Sequence, residues 1–226
     1  MWDNGYPSGG NYWSDYAGID EYTGPYQNLT GGDGLGDTPY IIDGVNQDRY
    51  PLMAPVRIHD IAVVDIGILS NEVYVGWMVE VDVSVENIGD YIESFSVTAY
   101  YNNTIMGTHT IHNLSVGASI IATFIWNTTS LPPCHNYILK AEATPVPDET
   151  NLEDNVYIRG HLKMKMVGDV NGDGKVDIRD ITVVAMAFAS HVGEPRYELK
   201  CDIKMDGVID IRDITLAAMN FGLTCL

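Results

Sequence analysis

The sequence predicts a mainly β, multidomain chain. An antiparallel sandwich occupies the middle, a small all-α module of two loop–helix repeats follows it, and a turn-rich Tyr/Gly module precedes it. Three observations predict this. Residues 57–165 alternate apolar and polar side chains with period two. Residues 166–226 hold two copies of one acidic loop, 33 residues apart, each followed by an apolar stripe of helical spacing. Residues 1–56 have neither period and are dominated by Gly, Tyr, Asp, Asn and Pro.

The 226 residues leave room for one large domain or two to three small ones. Acidic residues number 31 against 12 basic, a formal net charge of −19. Such a surface is repelled by phosphate, which argues against nucleic acid or an anionic membrane as partner. No apolar run is long enough to cross a bilayer as a helix. No basic-then-apolar signal peptide opens the chain, as expected of a fragment or of part of a larger precursor. Four Asn-x-Ser/Thr sequons, at Asn28, Asn102, Asn113 and Asn127, lie outside the acidic repeat and lean toward an extracellular or cell-surface location.

In residues 1–56 stand half of the 14 tyrosines, together with Trp2 and Trp13. So aromatic a stretch is expected to be ordered, with a small aromatic core between its turns. Asp33, Asp37, Asp43 and Asp48 could hold a cation, but turn-forming Asx residues are the simpler reading. The wording Trp2-Asp-Asn-Gly-Tyr-Pro-Ser-Gly-Gly-Asn11-Tyr-Trp-Ser-Asp-Tyr16, Gly36-Asp-Thr-Pro-Tyr40 and Asp48-Arg-Tyr-Pro-Leu-Met53 resembles the cap that closes right-handed β-helix repeats in archaeal surface proteins. Those repeats are similar to the copper-site maturation family of nitrous oxide reductase. The coils that carry that family's ligands are absent, so no copper site is expected.

In residues 57–165, Val79, Val81, Val83 and Val85 alternate with acids and Ser84. Phe95, Val97, Ala99 and Tyr101 form a second such series, and Tyr137, Leu139, Ala141 and Ala143 a third. Further strands are expected at 58–66, 108–112, 120–126 and 155–162. About seven short strands with one buried face each read as an immunoglobulin-like β-sandwich. Asp60-Ile-Ala-Val63, Val85-Glu-Asn87-Ile-Gly89-Asp90, Phe124-Ile-Trp126-Asn127 and Pro147-Asp-Glu149…Glu153-Asp-Asn155 resemble the CARDB family, the cell-adhesion-related domain. That resemblance implies a spacer or adhesion module without catalytic residues. The six histidines are scattered and form no triad or metal-ligand spacing, so no enzyme activity is expected.

In residues 166–226 the first loop reads Asp169-Val-Asn171-Gly-Asp173-Gly174-Lys175-Val-Asp177-Ile178-Arg179-Asp180. The second reads Asp202-Ile-Lys204-Met-Asp206-Gly207-Val208-Ile-Asp210-Ile211-Arg212-Asp213. Oxygen side chains at positions 1, 3, 5, 9 and 12 of a twelve-residue loop, with Gly at 6 for the bend, suit a hard cation such as Ca²⁺. Ile181, Val184, Ala185 and Phe188, and then Ile214, Ala217, Ala218 and Phe221, predict the core faces of two helices. From residue 167 onward ten acids face six bases, so two Ca²⁺ ions would neutralise the module, which is expected to need them to fold.

The doubled loop–helix form without a leading helix resembles the type I dockerin, over residues 167–226. The resemblance implies ligands from the side chains of Asp169, Asn171, Asp173, Asp177 and Asp180 with the carbonyl of Lys175. In the second loop it implies Asp202, Asp206, Asp210 and Asp213 with the carbonyl of Val208. Lys204 stands where the family has Asn or Asp, so the second site is expected to be the weaker. The family's partner is a cohesin, a β-sandwich on another protein. Its contact positions fall here on Ile178, Arg179, Ile211 and Arg212, although packing of both isoleucines in the module's own core is an alternative. The expected function is a non-catalytic extracellular adhesion or scaffolding protein that docks through calcium. Two other readings stand beside it: carbohydrate binding through the aromatics of residues 1–56, with cell-surface glycans or proteins as partners, and a purely structural dockerin clamped on the sandwich. Cys201 and Cys225 flank the second loop and its helix and could form a clasp, while Cys134, after Leu131-Pro132-Pro133, reads as a free thiol.

Overall fold

A computed structural model describes residues 2–225 and divides the chain into two units, Met1–Arg57 and Ile58–Leu226. In the first, two short antiparallel pairs recur: β1 (Tyr22–Thr23) with β2 (Leu29–Thr30), and β3 (Tyr40–Ile41) with β4 (Gln47–Asp48). So many turns leave backbone N–H groups that strands would otherwise satisfy. Carboxylates take them. Asp48 is fully buried and accepts from the backbone of Asn11 and Tyr50 and from the Trp13 indole. Asp3 is buried beneath the Arg49 guanidinium, 2.7 Å away. The expected aromatic core is present only as half-buried aromatic pairs, and the fully buried polar positions go to carboxylates. Trp2 is 46% exposed and Tyr26 84%, and Trp13 stacks on Tyr40 at 4.4 Å between ring centres. Asp33, Asp37, Asp43 and Asp48 each accept turn N–H groups rather than converging on a cation.

The second unit begins with the sandwich. One sheet orders β10 (Ser119–Asn127), β7 (Met78–Asn87) and β5 (Ile61–Ile68). The other orders β6 (Glu72–Tyr74), β12 (Val156–Lys165), β11 (His135–Ala143), β8 (Glu93–Tyr101) and β9 (Thr104–Leu114). All neighbours are antiparallel except β6 and β12. The alternating valines of β7, Val97 of β8, Leu139 of β11 and Trp126 of β10 are buried between the sheets, as period two requires. The CARDB-like wording has local work to do. The buried Asn87 side chain donates to the carbonyls of Tyr91 and Leu114 and accepts from Gly89, which pins the turn after β7.

The chain then forms α1 (Ile178–Met186), β13 (Ser190–His191), a 3₁₀ turn (Leu199–Cys201), β14 (Val208–Ile209) and α2 (Ile211–Met219). Both helices open with a capping box, Asp177 with Asp180 and Asp210 with Asp213. Half of each predicted apolar stripe holds, since Ile181, Val184, Ile214 and Ala217 pack in or against the core, and the other half is corrected. Asp180, Val184 and Ala187 are buried, and so are Asp213 and Ala217, whereas Ala185, Phe188, Ala218 and Phe221 are exposed. The loop acid at position 12 must face inward, and it sets the phase of the helix that it begins.

The cysteine pairing is corrected too. Cys134 and Cys225 form a disulfide with their Cα atoms 5.8 Å apart, and Cys201 is the free, buried thiol. Residues 222–225 run antiparallel to the first loop and carry Cys225 to the start of β11, where the Cys134 backbone N–H is held by the Met164 carbonyl.

Candidate metal centres

In the first loop Asp169 is almost fully buried. Its Oδ2 accepts the Gly174 N–H, while Oδ1 is buried without a partner. Burial pushes this carboxyl above its ordinary pKa, so its charged form is favoured only where a donor or cation meets that oxygen. Asp180, fully buried, accepts from the N–H groups of Asn171 and Asp177 and ties the loop's third, ninth and twelfth positions together. Asn171 and Asp173 accept from the N–H groups two residues on. Gly174, at φ +83°, makes the bend that a side chain would resist.

The second loop repeats this frame. Asp213 accepts from Lys204 and Asp210, Asp202 accepts from Gly207, and Gly207 has φ +83°. It differs at two points. The Tyr197 hydroxyl donates to Asp202 Oδ2 at 2.8 Å, and burial followed by that carboxylate pushes the phenol up. Lys204 Nζ lies 3.3 Å from Asp206 Oδ2, the oxygen that Arg212 also approaches at 2.9 Å. In the first loop Arg179 is the one cation on Asp173 among the described residues, at 3.2 Å, and the neutral Asn171 amide donates to the same oxygen at 3.3 Å.

The orphaned Asp169 oxygen, the glycine bend and an all-oxygen donor set fit a hard cation in the first loop. The second has the same frame but no orphaned oxygen. Among the described residues no three His, Cys, Asp or Glu side chains close on one point. The loops are wraps whose donors include an amide and carbonyls, and the arginines rest on their acids. Arg179 and Arg212 thus lie against their own loops, each forked onto the helix-capping Asp177 or Asp210. Ile178 and Ile211 are 64% and 62% exposed, so neither packs in the module's core.

Residues outside the expected set also shape the module. Tyr74 of β6 is buried in its core, with the hydroxyl donating to the Lys200 carbonyl, and the Trp77 indole donates to the Ile203 carbonyl. Lys163 of β12 donates to the Gly172 carbonyl inside the first loop. Tyr197 had a signal in the repeat, since the matching position of the first copy is Met164.

Residues 59–159 match the CARDB family model, and residues 167–219 match that of the dockerin type I domain. The chain carries a CARDB domain followed by a dockerin type I domain. Dockerin type I domains bind calcium, and their partners are cohesins, so calcium is the ion and a cohesin the kind of partner that the acidic repeat calls for. The two domains together make a protein-docking or adhesion module of the extracellular or cell-surface kind. Among the described residues no helix is long and apolar enough to cross a membrane.

Similar solved structures include a CARDB domain from Pyrococcus furiosus in complex with di-metal ions, 24% identical, covering 50% of this chain and 99% of that one with a TM-score of 0.42. A domain from Methanosarcina acetivorans is 20% identical over 47% of this chain and 92% of that one, TM-score 0.39. A β-glucosidase from Listeria innocua is 14% identical over 56% of this chain and 19% of that one, TM-score 0.32. No curated protein matches the chain.

Proposed function

We propose that this is a non-catalytic adhesion or scaffolding protein whose dockerin domain, loaded with two calcium ions, docks a cohesin-like β-sandwich. The observation that carries this reading is a pair of bare apolar faces at equivalent places in the two repeats. Ile178, Met186 and Phe188 are exposed on one half, and Ile211, Met219 and Phe221 on the other. A small module leaves six large apolar side chains in water only at a cost that a partner can recover. Arg179 and Arg212 border these faces and supply the polar rim. The ions would be held by Asp169, Asn171, Asp173, Asp177, Asp180 and the Lys175 carbonyl, and by Asp202, Asp206, Asp210, Asp213 and the Val208 carbonyl. The second site is the weaker, because Asp206 already has two cationic neighbours and position 3 offers no oxygen.

The test is surface plasmon resonance of the whole chain over a panel of cohesin domains, in calcium and in chelator. Association in calcium only, weakened roughly 10-fold or more by Ile178→Asp with Ile211→Asp, is expected, since buried interface anchors carry about 2 kcal/mol or more each. Binding that is indifferent to calcium or to both substitutions would sink the reading.

A second reading, the dockerin as an intramolecular clamp, is favoured by the Cys134–Cys225 bridge and by Tyr74 and Trp77. The two readings are compatible. The clamp engages the loops and residues 222–225, and the apolar faces stay bare.

A further inference from the structure

Six buried side-chain polar atoms lack a hydrogen-bond partner among the described residues, and three of them belong to residues at the junction of the 146–155 loop with the start of β5. They are Asp60 Oδ1, Asp154 Oδ1 and Asn155 Oδ1. Asp60 is 6% exposed and Asn155 2%. A fourth is Asp169 Oδ1, in the first acidic loop, so the same signature marks both places.

We propose that Asp60, Asp154 and Asn155 form a third site, within the CARDB domain, for a hard divalent cation such as calcium. The loop is built to aim these groups. Glu149 spends both oxygens on structure: Oε1 accepts the Ile61 N–H, and Oε2 accepts the Val146 N–H and the Asn155 amide. That last bond fixes which way the Asn155 amide points, so its carbonyl oxygen is the atom left over. The Asn151 amide donates to Asp154 Oδ2 at 2.7 Å, which turns Oδ1 of that carboxylate away from it. The Asp154 carbonyl accepts the Val63 N–H and moors the loop to β5.

The charge balance points the same way. Asp60, Glu149 and Asp154 form no ion pair among the described residues. Asp60 and Asp154 thus bring two like charges to one place with no cation against either. A proton shared by the two aspartates would relieve that repulsion but would give the Asn155 oxygen no donor. A cation coordinated by all three oxygens satisfies every one of them. Three protein oxygens, with water completing the shell, suit the weak class of extracellular calcium sites, with a Kd of about 10⁻⁴–10⁻³ M. The site is independent of the acidic loops and does not rest on their reading.

The test is a calcium titration of the whole chain at pH 7, followed by amide NMR, with Mn²⁺ as a paramagnetic probe. The amides of Ile61, Val63 and Asn155 should shift saturably in the submillimolar to millimolar range and broaden with Mn²⁺. Asp60→Asn and Asp154→Asn should each abolish those shifts while leaving the shifts of Asp169 and Asp202 in place. Amides at 60–63 and 154–155 that ignore both ions would overturn the proposal and leave a shared proton or a buried water as the answer. So would shifts that survive both substitutions.

Discussion

Lys204 is where the two repeats differ most in chemistry. Its ammonium sits 3.3 Å from Asp206, where the first loop offers the Asn171 amide. A cation entering the second loop must displace or share that carboxylate with a lysine and an arginine. Lys204→Asn removes one competitor and restores an oxygen, so it should strengthen the weaker site by about 1 kcal/mol, roughly fivefold. Calorimetry of the whole chain reads this directly, and two unequal sites unchanged by the substitution would refute the assignment. Asp3 gives a second test at this scale. The Arg49 guanidinium holds its carboxyl below the ordinary value of 3.8. A lowered folded pKa means that the pair's stability is present above that ordinary value and is lost as pH falls through the lowered one. The Met1–Arg57 unit should therefore loosen below about pH 4, read in the fluorescence of Trp2 and Trp13. Asp3→Asn should weaken the unit at neutral pH and flatten that acid step, and an unaltered step would remove Asp3 as its cause.

At the scale of elements, residues 222–225 carry the sharper consequence. Gly222 and Cys225 donate to the Val176 and Gly174 carbonyls, and Val176 donates to Leu223, so this segment holds loop positions 6 and 8, on either side of the position-7 carbonyl. Residues 221–224 are exposed throughout and bring no apolar anchor. The matching segment on the second loop, β13, has a buried Ser190 bonded to Ala187. The Cys134–Cys225 bridge is thus the main hold on the first loop's outer support. Cys134→Ser with Cys225→Ser should weaken calcium at the first site roughly 10-fold, as loss of outer-shell support does, and leave the second within about twofold. Titrations in Asp202→Ala and Asp169→Ala backgrounds separate the sites, and equal effects on both would refute the asymmetry. This bridge was not legible in the sequence, because the distance between Cα atoms is set only by the tertiary fold. The acidic frame was legible because it recurs at a fixed period. The strands were legible because one face of each is buried, but three-residue β6 is too short to have a period. The helix phase was half legible: Ile181, Val184, Ile214 and Ala217 face the core as expected, but a buried acid at the helix start turns Ala185, Phe188, Ala218 and Phe221 outward.

At the scale of the molecule, Tyr74 and Trp77 decide how independent the dockerin domain is. Both come from the CARDB side of the chain. Tyr74 is part of the dockerin core, and Trp77 packs against both cores. Their rings meet edge to face at 5.1 Å, and each donates to a backbone carbonyl just before or within the second loop. Lys165, also buried, lies over the Tyr74 ring at 4.8 Å and pairs with Glu72 at 3.3 Å. A module of about 60 residues has little core of its own, and this one borrows from the sandwich. Its need for calcium should then be shared by both domains. Calcium at 100 times its Kd stabilises the state that binds it by about 2.7 kcal/mol, enough to move a cooperative transition of this size by roughly 5–10 °C. The prediction is that calcium raises the melting temperature of the sandwich as well as of the helices, and slows exchange at sandwich amides such as Val83 and Val97. Trp77→Ala should uncouple the two, so that only the helical part still responds. A sandwich that melts at the same temperature in calcium and in chelator, in the unsubstituted chain, would mean that the shared core carries no energetic coupling.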